Sequence, residues 1–441
     1  MVTGSNFLLD TGAQKILIDC GLAQGTREAE AKNWEPFQYD PKSVSTLIVT
    51  HAHIDHIGRI PKLVRDGFKG KIISTEATKS LALPMLYDAL ELTERVAKYH
   101  NGEVLYEAHD IEAAMRLWEE VPFYKEVDLG DKVTLKFFNS GHILGSAMAR
   151  FTREGKILMF TGDLGGGNSP LIAGADAVPG VTYLVIESVY GDRLRQEDEH
   201  RREQLEDIIE NTAARGGTLL IPAFSAERTQ DLLFEIRTLM TEKRVPSMPV
   251  YLDSPLAEKI TEAYLANPEY FAPDIAVRVK AGEKIFSFPE LRFVEKTEES
   301  RALQSKPSPK IIIAGSGMST GGRGVEHEKY ILPDPTATLM VCGYQSAGSL
   351  GRRLMEGQRE VEIQGKKISV RCHTEHIYGY SAHMDGEELL EFVNSMGREV
   401  TEVFVVMGEP ASSAFLAQRI RDYLGVRAAV PQAGEQVTLD W

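Results

Sequence analysis

The sequence predicts an α/β (α+β) protein built of packed sheets that carry helices, and three observations predict it. β-branched runs alternate with amphipathic helical patterns through the first half of the chain. Some of those runs are joined by short turns and others by helices, which a simple doubly wound sheet would not show. After a long charged helix the alternation resumes with wholly apolar strands, the pattern of a parallel sheet buried on both faces.

Taken in order, "KILIDCG", "STLIVT", "GKIIST", "KVTLKFF", "KILMFTGD" and "TYLVIES" read as strands that end in Gly, Asp, Ser or His. Between them "TKSLALPMLYDALELTERVAKYH" and "DIEAAMRLWEEV" read as helices, the first interrupted at Pro84. The charged helix "RQEDEHRREQLEDIIENTAARGG" stops at its double glycine. "GTLLIPA", "ERTQDLLFEIRTLMTEK", "MPVYLDS", "PKIIIAGSG" and "TLMVCGY" then form a second strand–helix series. From about residue 366, "KKISVRCHTEH", the helix "GEELLEFVNSM", the strand "TEVFVVMGE" and a last helix "SSAFLAQRIRDYLG" complete the chain. "VEKTEESRALQSKPSPK" is expected to be a flexible surface segment, on its charge and proline content.

The 441 residues, 43% hydrophobic and 26% charged, fit two or three folded domains. No apolar stretch approaches the roughly 20 residues of a membrane span, and no signal peptide opens the chain. Cys20, Cys342 and Cys372 are odd in number and form no CxxC, so a reducing, cytoplasmic compartment is expected. The net charge of -15 speaks against a nonspecific nucleic-acid coat, although a local basic groove can sit on an acidic molecule.

The chemistry concentrates in "THAHIDHIG", where His51, His53, Asp55 and His56 fall within six positions at the end of an apolar strand. A single histidine on a sheet is ordinarily a hydrogen-bonded structural residue; four ligand types in six positions point to metal. Two histidines one residue apart can converge on one ion, and the following Asp and His can face a second. Imidazoles with carboxylates suit zinc or a similar first-row ion, not the all-oxygen shell of calcium or magnesium. Partners are sought at other strand ends: His142 in "FFNSGHILGSA" and Asp163 in "ILMFTGDLGG", each flanked by glycine. Asp19 in "ILIDCG" is expected to orient a ligating imidazole by accepting its other N–H.

HAHIDH with "GRIPKL", "SGH" and "TGD" downstream resembles the metallo-β-lactamase superfamily. That resemblance implies an αββα sandwich with two zinc ions at one edge. It places His51, His53 and His142 on the first ion, Asp55 and His56 on the second, and Asp163 between them, with a metal-activated hydroxide as nucleophile. "VIESVYGDR", "LIPAFSAERTQ", "YLDSP", "AGSGMSTGGR" and "GYSAHMD" resemble the β-CASP family, over nearly the whole chain. The similarity is to prokaryotic relatives of the nuclease subunit of the cleavage and polyadenylation specificity factor.

It implies residues 1–189 as the first part of the lactamase domain, 190–365 as an inserted α/β β-CASP domain, and 366–441 as the returning part. It also implies cleavage of single-stranded RNA in processing or decay, by an endonuclease with 5′-exonuclease action not excluded. DNA stays open as a substrate, and a homodimer is allowed. Carried over by position, Glu187 is the acidic residue after the lactamase half and His383 contacts the scissile phosphate or leaving group. Phosphodiester hydrolysis needs a proton for the leaving oxygen, which His383 paired with Glu187 can supply. Asp55 and Asp163 complete the catalytic set.

The remaining candidates have plainer readings beside the functional one. "AGSGMSTGGR" is either a phosphate loop or a tight turn. Arg228, Ser316 and Arg323 are candidate phosphate contacts. Tyr190 and Tyr344 either stack on bases or pack in the core. His373 and His376, at helical spacing, are expected to be structural.

Two departures from the family pattern matter. Members acting on RNA carry a histidine after the final strand that completes the second metal, and here Met407 stands in that place. A thioether is a poor ligand beside imidazole and carboxylate, so the second ion is expected to be weakly held. Members acting on DNA have an apolar residue there, which keeps two alternatives open: a DNA nuclease, or a catalytically weakened RNA-binding member. Relatives also carry an extra strand before Val2, so one edge of the first sheet is expected to be short of a strand.

Overall fold

Short β-branched runs make the strands, and the amphipathic segments between them make the helices, in a computed structural model. It describes all residues except Met1, 98–101, 195–199, 316, 318, 320, 344, 346 and 347. The chain falls into two units, the first made of Met1–Gly167, Ile172–Leu194 and Ala382–Trp441, the second of Asn168–Leu171 and Arg195–Ser381.

In the first unit β1 (Phe7–Asp10), β2 (Lys15–Ile18), β3 (Val44–Ile48), β4 (Lys71–Ser74) and β5 (Trp118–Glu120) lie in that order in one sheet. β1 and β2 form an antiparallel hairpin, and the rest run parallel. A second sheet begins as an antiparallel meander of β6 (Glu126–Gly130), β7 (Val133–Asn139), β8 (Ala147–Arg153) and β9 (Lys156–Phe160). β10 (Tyr183–Glu187), β19 (Glu402–Val406) and β20 (Arg427–Ala429) extend it in parallel. Alternation along the strands decides how the sheets pack. Ile16, Ile18, Ile48 and Ile73 of one meet Leu135, Phe137, Phe151 and Phe160 of the other.

The helices Gly386–Ser395 and Pro410–Arg419 cover the far face of the second sheet through Leu389, Val393 and Leu416. The helices Ile60–Arg65, Glu76–Ala97 and Ala108–Arg116 pack on one another and on β5. The result is helix, sheet, sheet, helix, the αββα order.

Two local expectations change here. The helix Glu76–Ala97 runs through Pro84 without ending, because Leu81, Ala82, Leu86 and Ala89 are buried on either side and hold both halves in line. The segment after Arg116 leaves the helix and becomes β5: Trp118 is buried and its indole N–H donates to Ser74 Oγ at 2.8 Å.

The second unit holds β11 (Thr218–Pro222), β12 (Val250–Asp253), β13 (Leu291–Phe293), β14 (Lys310–Ala314), β15 (Thr338–Cys342) and β18 (His373–Ile377). Their order is β13-β12-β14-β11-β15-β18, and all the pairings are parallel. A separate hairpin pairs β16 (Glu360–Ile363) with β17 (Lys366–Ser369). β11, β12, β14 and β15 are buried along their whole length, as their unbroken apolar runs require.

By contacts the first unit resumes at Ala382, with β18 hydrogen-bonded to β15 as the terminal strand of the second unit's sheet. The same pairing puts His373 and His376 on a strand, although their spacing reads as helical. Within the segment expected to be flexible, Thr297–Ala302 is helical and Ser300 is buried, donating to Asp253 Oδ2. Among the described residues no helix is long and apolar enough to cross a membrane.

Candidate metal centre

The carboxyl ends of β2, β3, β7, β9 and β10 deliver the polar groups of the first unit. After β2, Asp19 takes a left-handed conformation (φ 57°) and turns its carboxylate inward. That carboxylate accepts from the Thr50 amide (2.9 Å), the Thr50 hydroxyl, the Ser5 hydroxyl (3.0 Å) and His56 Nδ1 (2.7 Å). With Nδ1–H spent on Asp19, His56 turns its buried Nε2 toward the carboxylates of Asp163 and Asp55. Thr50 Oγ1 also lies 3.1 Å from His51 Nδ1, so one hydroxyl and one carboxylate fix two imidazoles.

His53 caps the short helix Ile54–Ile57, and its Nδ1 lies 3.1 Å from both His51 Nε2 and His142 Nε2. His142 is held in its loop by Ser146, whose Oγ accepts from the amides of His142 and Ile143. Asp163 follows Gly162 (φ 56°) after β9 and divides its carboxylate between two groups of imidazoles. Oδ2 lies 3.6 Å from His51 Nε2 and 3.5 Å from His142 Nε2, while Oδ1 lies 3.4 Å from His56 Nε2. Asp55 Oδ2 stands 3.9 Å from that same His56 nitrogen. One donor atom each from His51, His53, His142 and Asp163 lies within 4.8 Å of all the others.

Burial, reinforced by the neighbouring histidines, holds the His51 and His142 imidazoles well below their ordinary pKa, hence neutral with lone pairs inward. Burial pushes the Asp163 carboxyl up, but His56, His51 and His142 outweigh it and keep the group ionised. Burial raises Asp55 to about 6 against the opposing pull of His56. His53 Nδ1 faces two imidazole nitrogens at 3.1 Å and can share a proton with only one of them at a time, whereas a cation among the three would accept a lone pair from each. Ligands at zinc distances of about 2.0–2.1 Å stand roughly 3.3 Å apart in a tetrahedron. The donor set therefore fits a metal ion, and its chemistry favours a first-row ion.

Beside these side chains, Glu187 is fully buried at the end of β10. Its Oε1 accepts from His383 Nδ1 (2.9 Å) and the Leu164 amide (2.8 Å), and its Oε2 from the Val189 amide (3.1 Å). Burial lowers the His383 pKa, but the Glu187 carboxylate outweighs it and raises the group to about 9. The His383 ring lies 4.6 Å from the His142 ring, with Tyr190 edge-on at 5.9 Å, which places Tyr190 against a catalytic candidate.

The segment after Asp163 ties everything together. Gly165 bridges to His383, its N–H donates to Ser140 O (2.8 Å), and the Met384 amide donates to Leu164 O (2.8 Å). Sequence reasoning singles out neither Gly165 nor Thr50; the glycine after "TGDL" and the threonine before HAH are the signals it had.

Met407 follows β19, where Val406 pairs beside Glu187, and takes a left-handed conformation (φ 55°). The candidate phosphate contacts Arg323 and Arg228 lie in the second unit. Arg323 donates Nη1 to Asp253 Oδ1 (2.6 Å) and Val294 O, and Nη2 to Glu295 O (2.5 Å). Arg228 is buried, with Nη1 on Cys342 O (3.2 Å) and Nη2 beside Glu227. Both guanidiniums make contacts inside the unit, and Arg228 Nε, also buried, has no hydrogen-bond partner. Ser316 and Tyr344 lie outside the described residues.

An αββα sandwich with three imidazoles and a divided carboxylate at its edge defines a metal-dependent hydrolase. Family models agree: the metallo-beta-lactamase superfamily matches residues 2–247, the Beta-Casp domain 229–354, and the Zn-dependent metallo-hydrolase RNA specificity domain 367–431. The chain belongs to the metallo-β-lactamase superfamily, in its β-CASP family.

It is 35% identical over 399 residues to Ribonuclease TTHA0252 of Thermus thermophilus, covering 90% of each chain. It is 32% identical to an RNase J-like protein of Methanocaldococcus jannaschii, covering 97% of this chain and 94% of that one. Against Transcription termination factor FttA of Methanosarcina mazei the identity is 31%, over 94% of this chain and 66% of the relative. The chain thus spans about two thirds of that factor's length. A crystal structure of a protein of unknown function from Enterococcus faecalis V583 shares the fold (TM-score 0.56, 12% identity, covering 100% of this chain and 97% of that one).

Proposed function

We propose that the protein is a zinc-dependent ribonuclease that hydrolyses phosphodiester bonds of single-stranded RNA in the cytoplasm, in RNA processing or decay. The observation that carries this reading is the divided carboxylate of Asp163, one oxygen toward His51 and His142 and the other toward His56. It is supported by relatives named as ribonucleases and by the match to an RNA specificity domain.

His51, His53 and His142 would hold one ion, Asp55 and His56 a second, and Asp163 would touch both. Bound there, such ions activate water and neutralise charge on the phosphate oxygens. The rest of the work falls to the chain's own residues. Asp19 and Thr50 keep the imidazoles in one tautomer. Glu187 holds His383 protonated, with Nδ1–H committed to the carboxylate, so that Nε2–H is the proton available to the leaving oxygen.

Met407 favours one modification of this reading: the second ion binds more weakly than the first, because a thioether replaces an imidazole. The test is cleavage of end-labelled single-stranded RNA and DNA, with and without chelator, beside Asp163→Ala. Chelator-sensitive RNA cleavage lost in the variant is expected, and the label position distinguishes internal from 5′-terminal cutting. DNA cut in preference to RNA would reassign the substrate, and no chelator-sensitive cleavage of either polymer would remove the enzyme reading.

A further inference from the structure

A cavity of about 350 Å³ opens within the second unit, between the helix Arg201–Ala214 and β18 with the turn that follows it. None of its lining residues is a candidate metal ligand, and the reaction proposed above gives it no task. At about 350 Å³ it lies at the small end of ligand sites, large enough for one planar ring system with its substituents.

Its walls differ in chemistry. On one side Tyr378 offers its ring, 47% exposed and braced edge-on by His376, with ring centroids 3.6 Å apart at 80°. On the other, Gln204 and Asn211 lie two turns apart on one helix face, both exposed. Among the described residues neither carboxamide makes a side-chain hydrogen bond. Arg215, at the end of that helix, is anchored by Nη2 on Thr338 Oγ1 (2.7 Å). The floor is fixed in advance: Arg201 donates to Gly379 O (3.0 Å) and to Glu235 Oε1 (2.6 Å), and the Tyr380 hydroxyl donates to the same Glu235 carboxylate. A cavity whose walls are already held needs little ordering when a ligand enters.

An exposed aromatic face opposite two free carboxamides suits a flat heterocycle with donors and acceptors on its edge. Each carboxamide can give and accept one hydrogen bond to such an edge. Asp207 and Glu375 also line the cavity, and their carboxylates repel a phosphate while accepting from an amino group. Arg201 and Arg215 line the cavity as well, so its charges balance, and the preference for a base rests on the Tyr378 ring and the two carboxamides.

We propose that this cavity is a nucleobase pocket, taking one unpaired base stacked on Tyr378 and read on its edge by Gln204 and Asn211. This rests on the reading of the chain as an RNA enzyme, and it adds a second place where the strand is gripped. The same chemistry could be met by a base within an RNA strand or by a free nucleotide.

The test uses the full chain carrying Asp163→Ala, so that nothing is cleaved, with a labelled single-stranded oligoribonucleotide and, separately, AMP as probes. Tyr378→Ala is expected to weaken the oligonucleotide roughly tenfold, as loss of one stacked base does, and Tyr378→Phe to leave it within about twofold. AMP binding that is also lost in Tyr378→Ala would show that the pocket takes free nucleotides; loss for the oligonucleotide alone would show that the base arrives on a strand. If Tyr378→Ala lowers the melting temperature, the exposed double variant Gln204→Ala, Asn211→Ala is expected to give the same weakening. Oligonucleotide and AMP binding unchanged in a folded Tyr378→Ala protein would overturn the pocket. Tyr378-dependent binding by a wild-type protein that cleaves no RNA would keep the pocket and remove the enzyme reading.

Discussion

Gly165→Ala should disorder the site without altering a single proposed ligand. A Cβ built at this position falls 1.8 Å from the Gly141 carbonyl oxygen, 2.2 Å from its carbonyl carbon and 2.8 Å from the His142 amide nitrogen. Such contacts need at least 3.0 Å, so about 1.2 Å must open between the two loops. The Gly165 segment cannot yield easily, being tied to Ser140 O, to Glu187 Oε1 through the Leu164 amide, and to the Met384 amide. The displacement therefore falls largely on residues 141–142 and carries His142 away from His53, whose nitrogen it faces at 3.1 Å.

A misplacement of about 1 Å at a reacting centre costs on the order of 100-fold in rate, and a lost ligand support costs roughly 10- to 100-fold in metal affinity. Overpacking adds about 1–3 kcal/mol of destabilisation, a fall of a few degrees in melting temperature. The assay is zinc content after equilibration in a buffered zinc solution, with RNA cleavage and thermal melting measured on the same preparation. A folded Gly165→Ala protein with wild-type zinc content and cleavage rate would refute this reading of Gly165.

Three other perturbations separate the parts of the site. Asp19→Asn frees His56 to rotate and is expected to weaken the second ion roughly 10- to 100-fold while the ion on three imidazoles stays, read as a stepwise loss in metal titration. Glu187→Gln removes the main cause of the raised His383 pKa. In the wild type the acid form persists to about pH 9, and the pair's contribution to stability is complete below 6.5 and lost as pH rises through about 9. In the variant the alkaline limb of the pH–rate profile should begin roughly two units lower, and an unmoved limb would show that His383 is not the acid. Met407→His is expected to tighten the second ion alone, and unchanged metal content and activity would make the position irrelevant.

The ligand cluster was legible because four of its members are adjacent in sequence, and His142 and Asp163 announce themselves as polar residues between glycines at strand ends. The pairing of Glu187 with His383, 196 positions apart, came only from resemblance, since nothing local in "VIES" or "YSAH" signals a shared hydrogen bond. The engagement of Arg323 with Asp253 was invisible for the same reason: burial and partner are tertiary facts, and an arginine in a glycine-rich loop reads alike whether its donors are free or spent. The edge of the contact unit at Ala382 is not legible in "KKISVRCHTEH", which carries no mark of the sheet it joins; only its pairing with β15 shows that. Pro84 misled by a local rule that the buried apolar residues around it override.

The central claim is that Asp163 is shared between two metal positions. The most direct measurement is zinc stoichiometry and affinity of the wild type against Asp163→Ala, with chelator-sensitive RNA cleavage read alongside. A tightly bound first ion and a weaker second ion in the wild type, both weakened in the variant together with cleavage, is the expected result. An Asp163→Ala protein that keeps its zinc and its cleavage would contradict it.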